Sequence, residues 1–192
     1  ATPKKESNII SYVDAVQLKN EHMVKLPVIV YNRDSQSEVL IDAIDLRNKL
    51  EEIASAEYAK TGKYIRPIAL FQAQPKGKED ATTFEKLRDK LVDAGIPAEQ
   101  IAIRTADVNE LKNVELMSLS CPIRYIITVN ALKEGWDCPF AYILASLANK
   151  TSQVDVEQIL GRILRLPHTS QHTQSALNMS YVLTSSNDFN NT

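Results

Sequence analysis

Glycine is scarce in this chain, with five in 192 residues. A backbone cradle for phosphates of the form G-x-x-x-x-G-K-[ST] needs closely set glycines. None of Gly62, Gly77, Gly95, Gly135 and Gly161 stands in that pattern, and no acidic D-E-x-H run is present. Cysteine is limited to Cys121 and Cys138, which form neither a C-x-x-C pair nor part of a zinc set and suit a reducing compartment. Long apolar runs are missing: nothing approaches the roughly 20 residues of a membrane span, and no secretory leader is recognisable. The expectation is a cytoplasmic protein without a membrane partner. Charge of one sign is missing too, since 22 Lys and Arg oppose 24 Asp and Glu for a net charge of −2. This is not the bulk basic character of a protein that coats nucleic acid, so such contacts must come from a local track. His168 and His172 lie in the polar stretch 168–175 and read as a surface loop rather than a metal site.

What is present is an alternation of short apolar runs and amphipathic stretches. Hydrophobic residues make up 44% of the chain, enough for one compact domain. Residues 9–20 read as a short helix. Val24 to Tyr31 reads as a strand that Pro27 confines to a sheet edge or to a late start. Val39, Leu40, Ile44, Leu46, Leu50, Ile53 and Ala54 recur at helical spacing and predict a helix over 38–60, stopped by Gly62. Further strands are expected at 64–71, 101–104, 123–129, 140–147 and 179–184. Helices are expected at 81–94, at 107–119 with Asp107 as N-cap, and after Thr151 or Ser152. Strands separated by single helices imply an α/β fold with a mainly parallel sheet. Residues 1–35 read as a connector from an upstream domain, and 36–192 as the domain itself.

Two segments carry the chemistry. Residues 123–129, Ile-Arg-Tyr-Ile-Ile-Thr-Val, form a β-branched strand that runs into Leu132-Lys133-Glu134-Gly135-Trp136-Asp137-Cys138-Pro139. Thr128, Gly135 and Asp137 would then make a polar site at the carboxyl edge of the sheet, where open α/β sheets bind ligands. The second segment is Gln158-Ile159-Leu160-Gly161-Arg162-Ile163-Leu164-Arg165, a Q-x-x-G-R-x-x-R run. Arg162 and Arg165 at i, i+3 would share a helix face, and planar guanidinium groups so spaced suit a polyphosphate.

Together these segments resemble motifs V and VI of superfamily-two helicases and translocases, and especially the restriction subunit of type III restriction enzymes. The E-G-W-D-C-P wording and the Leu166-Pro167 that follows Arg165 carry the closer likeness, which is strong over 123–167. The resemblance implies a RecA-like second motor domain, with the strand at 64–71 and its edge residues Phe71 and Gln72 as motif IV. It implies that ATP and Mg²⁺ are held mainly by a first motor domain upstream, which carries the missing phosphate loop. Arg162 and Arg165 would act as arginine fingers, and Gln158 would position the nucleotide or the attacking water. Gly135, Asp137 and Gly161 would belong to the nucleotide site, and Thr128 would contact a nucleic-acid phosphate. Double-stranded DNA and a modification (methyltransferase) subunit are the implied partners. Two other readings stand beside this one: an RNA-dependent ATPase module, and a non-catalytic α/β interaction domain. The wording of motif V speaks against the first, because DEAD-box RNA helicases usually carry R-G-[IL]-D there.

Overall fold

The structure, a computed structural model, describes residues 23–75, 82–129, 136–147, 159–161 and 163–185. The chain is α/β, and its described residues build a six-stranded sheet in which every pairing is parallel. Its strands are β1 (Val28–Asn32), β2 (Ile68–Gln72), β3 (Ile101–Ile103), β4 (Tyr125–Thr128), β5 (Ala141–Ser146) and β6 (Ser180–Thr184). They lie in the order β1-β6-β5-β2-β4-β3. Every residue of β2 to β6 is buried, as a parallel sheet covered on both faces requires. Only β1 is half exposed, and it is an edge strand beginning directly after Pro27. Proline lacks the N–H that a ladder position needs, which accounts for both features. β1 lies within the stretch read as a connector and pairs with β6 along its whole length.

Helix α1 (Gln36–Thr61) packs on β2, β5 and β6. Ser35 opens it with a reciprocal capping box: its side chain accepts from the Glu38 amide, and the Glu38 carboxylate accepts from the Ser35 amide. Gly62 closes it at φ 72°, a left-handed value that favours glycine. The buried face carries Val39, Ala43, Leu50 and Ala54, and also Arg47 and Glu57. Arg47 pairs with Glu51, which in turn takes Arg124 through both of its oxygens. Glu57 accepts the Thr173 amide and hydroxyl, so neither buried charge is left alone. Helix α2 (Phe84–Asp93) is capped by Thr83 and packs on β4 through Leu87 and Leu91. The short helix read at 9–20 and the helix start near Thr151 lie outside the described residues. Among the described residues, no helix is long and apolar enough to cross a membrane.

Two expectations are corrected. Residues 107–119 are not helical but run through turns from β3 to β4. The guanidinium of buried Arg66 takes the carbonyls of Leu116, Ser118 and Ile123, which ties the end of this segment to the approach to β2. At the other end Glu110 folds back on Ile103, accepting its amide at 2.7 Å and donating to its carbonyl at 3.0 Å. Asn113 adopts a left-handed φ of 64°, which also interrupts a helix. The second correction concerns His172. It is 4% exposed, with Nδ1 3.7 Å from Glu57, and so belongs to the interior rather than to a surface loop.

Candidate functional site

Thr128 and Asp137 lie at different ends of the sheet. β4 and β5 both pair in parallel with β2, so their connection must return from the carboxyl end of one to the amino end of the other. Thr128 is the last residue of β4, at the carboxyl edge, where its carbonyl accepts the Ala73 amide at 2.7 Å. Asp137 comes just before β5, toward the amino edge. The expected single site at the carboxyl edge is therefore divided by the length of a strand. Thr128 is also 1% exposed, so its hydroxyl is covered rather than offered to solvent. Gly135 lies outside the described residues.

The second segment meets Asp137 at the amino edge. Ile159, Leu160, Gly161 and Ile163 are helical, and Ile159 and Ile163 are fully buried, which anchors this helix by its apolar side. Gly161 is on the exposed side, where an added Cβ would meet nothing within 4 Å. Gln158 and Arg162 lie outside the described residues. Arg165 is not on the helix but past its end, in an antiparallel bridge with Val24. Its Nη1 donates to Asp137 Oδ2 at 3.0 Å, which joins the two sequence motifs.

That ion pair is exposed, with side-chain accessibilities of 55% for Arg165 and 40% for Asp137. Exposed pairs contribute only about 0–1 kcal/mol, because solvent screens them and side-chain entropy opposes them. Asp137 thus holds the Arg165 side chain only loosely. The backbone beneath is held more firmly. Lys25 is fully buried, and its Nζ donates to the carbonyls of Pro139 and Arg165, both at 2.8 Å. The same ammonium lies 4.7 Å from the centre of the Tyr142 ring. Burial lowers the pKa of Lys25 to about 7, against the opposing influence of Cys138 and Asp137. Burial likewise pushes the Cys138 thiol up to about 11, so it stays protonated and unreactive at neutral pH.

No family model matches the chain, and no curated protein matches it. Among solved structures it is similar to the C-terminal domain of S. cerevisiae Dbp5 bound to Gle1 and IP6. That match has 16% sequence identity, covers 84% of this chain and 78% of that one, and has a TM-score of 0.46.

Two features of the surroundings were not evident in the sequence. A cleft of about 670 Å³ opens beside Asp137, lined by Trp136, Arg104, Asn109 and the irregular 114–118 segment. At the carboxyl edge Gln72 accepts from Ser146 at 3.1 Å, and Gln36 links the Thr82 hydroxyl to the Leu147 carbonyl. Lys25 did leave a signal: it is the only charged residue in the run from Met23 to Tyr31. A lone lysine among apolar residues calls for an internal partner. Among the described residues, no three His, Cys, Asp or Glu gather in a group that could hold a metal ion.

Proposed function

We propose that this chain is the second motor domain of an ATP-dependent nucleic-acid translocase or helicase, of the type III restriction kind, acting on double-stranded DNA. The observation that carries the reading is the ion pair between Arg165 and Asp137, which puts the two motif-like segments on one exposed surface. In this reading, ATP binds mainly to a first domain with a phosphate loop, which also holds Mg²⁺ to neutralise the phosphates. Arg165, with Arg162, reaches across to the β- and γ-phosphates. The carboxylate of Asp137 holds Arg165 until nucleotide arrives and then becomes free to accept from the ribose. An exposed pair suits that exchange, since little stability is lost when it opens. Arg165 contributes most as charge develops on the transferred phosphoryl group, where such a residue can be worth about 10³–10⁵ in rate.

The remaining residues take supporting parts. Gln158 orients the attacking water, and Gly135 and Gly161 let backbone or nucleotide approach closely. Thr128, being covered, acts on a nucleic-acid phosphate indirectly, by fixing where the chain leaves β4. Closure of the two domains on ATP and reopening after hydrolysis would move the motor. A modification subunit would supply sequence recognition. Double-stranded DNA is preferred over RNA because of the Glu134-Gly135-Trp136-Asp137 wording.

The test is ATP hydrolysis by a protein that joins this domain to its first motor domain, with duplex DNA, single-stranded DNA, RNA or none. Stimulation by duplex DNA is expected, while the 192-residue chain alone hydrolyses nothing above background. Stimulation by RNA alone would move the assignment to an RNA-dependent ATPase. No hydrolysis under any condition would leave a non-catalytic interaction domain.

A further inference from the structure

We propose that Lys25 is a positioning residue for Arg165 and Asp137, coupling the segment that enters the domain to the reach of the arginine. The inference rests on the reading above for its consequence in catalysis, but not for its geometry. One ammonium holds two carbonyls from distant parts of the chain, that of Pro139 just after Asp137 and that of Arg165 itself, each at 2.8 Å. The Tyr142 ring takes the remaining side of the ammonium. The Lys25 backbone is fastened in parallel. Its amide donates to the Leu164 carbonyl, and its own carbonyl accepts the Ser180 hydroxyl at the start of β6. The Leu166 amide donates to the Met23 carbonyl at 2.9 Å, completing the bridge that pairs Val24 with Arg165.

Burying a lone ammonium is costly, and an apolar side chain of the same length would fill the space more cheaply. What it could not supply is a donor shared by two carbonyls. That shared donor fixes the separation of the two segments from below, while the exposed ion pair joins them only loosely from above. The residues ahead of β1 therefore bear directly on Arg165. A pull on them would shift the guanidinium, and misplacement by about 1 Å can cost about 10²-fold in rate.

Three measurements test this. In the unaltered chain, the ¹⁵N resonance of Lys25 Nζ should show couplings across hydrogen bonds to the carbonyl carbons of Pro139 and Arg165. An ammonium in fast exchange with solvent overturns the proposal without any variant. In Lys25→Met, NMR relaxation should show increased motion at Asp137 and Arg165 while β2 and β4 are unchanged; unchanged order at both residues overturns it as well. In the two-domain protein, kcat of Lys25→Met should fall about 10²-fold with KM for ATP little altered. Adding Lys25→Met to Arg165→Ala should then cause no further loss, because both changes act on one group. A further loss would give Lys25 a separate role and overturn the coupling. If Arg165→Ala by itself left turnover intact, the motor reading would fail, and the two NMR measurements would still decide the role of Lys25.

Discussion

Replacing Lys25 by Met should change how stability depends on pH, and the size of the change follows from burial. The unfolded chain protonates this lysine near its ordinary value of 10.5, whereas the folded chain does so at about 7. Between those values the unfolded state holds the extra proton, so stability rises with pH. Below about pH 7 both states are charged, and the burial penalty is present in full. A full proton of difference is worth about 1.4 kcal/mol per pH unit, so between pH 7 and 9 the rise from Lys25 should be about 2 kcal/mol. Cys138 acts in the opposite sense, because its folded pKa is raised to about 11 while the unfolded thiol ionises near 9.0. It takes back less than about 1 kcal/mol over the same interval. Urea unfolding at pH 7, 8 and 9 measures the net effect from the midpoint and slope. The wild type should gain about 2 kcal/mol, and Lys25→Met should stay flat or fall slightly. Equal rises in both proteins would refute the buried, low-pKa lysine and the geometry built on it.

Other consequences are more local. Arg66→Met should cost about 3–5 kcal/mol, because the carbonyls of Leu116, Ser118 and Ile123 lose a charged donor inside the protein; thermal and urea unfolding would report it. Ser35→Ala removes half of the capping box of α1 and should cost about 1 kcal/mol by the same methods. Burial tends to raise the Glu57 carboxyl, but hydrogen bonds from Thr173 and the nearby His172 outweigh this and hold it below the ordinary 4.5. A depressed carboxylate stabilises the fold above its unfolded pKa, and that contribution is lost as pH falls through the folded one. Glu57→Gln should therefore lose less stability than the wild type on acidification below about pH 4.5; parallel acid titrations would contradict this.

The sheet was readable because its strands are short β-branched runs bounded by breakers, and strands buried on both faces need no polar alternation. Pro27 marked an edge strand correctly because a missing N–H is a local property. The helix expected at 107–119 failed because Asn113 takes a left-handed φ in its middle and Glu110 returns to pair with Ile103 of β3. Periodicity registers neither a single left-handed residue nor a contact with a neighbouring strand. Likewise, His172 looked like a surface residue from its polar neighbours, yet it is buried, with hydrogen bonds to Asn178 and to the Pro167 carbonyl. Of the candidate site, the two motif-like segments were legible in the sequence, but the ion pair between Asp137 and Arg165 was not, since Asp137 was expected beside Thr128 and Arg165 beside Arg162 on a helix. Their position at the amino edge follows from the parallel orientation of β4 and β5, which puts the residues just before β5 at the opposite edge from the end of β4. Lys25 stood out only as a lone charge in an apolar run, because its partners are backbone carbonyls that the fold alone brings to it.

In the proposed motor, Arg165 acts on the nucleotide and is not merely a surface ion-pair partner of Asp137. A charge exchange separates the two. In the two-domain protein, DNA-stimulated ATP hydrolysis is compared for wild type, Arg165→Ala, and the double variant Asp137→Arg with Arg165→Asp. The double variant can re-form the ion pair with its charges reversed, but it presents a carboxylate where a phosphate must be met. A loss of about 10³-fold or more is expected in Arg165→Ala, with no recovery in the exchanged pair. Recovery of turnover by the exchanged pair would contradict this and leave Arg165 a structural partner of Asp137.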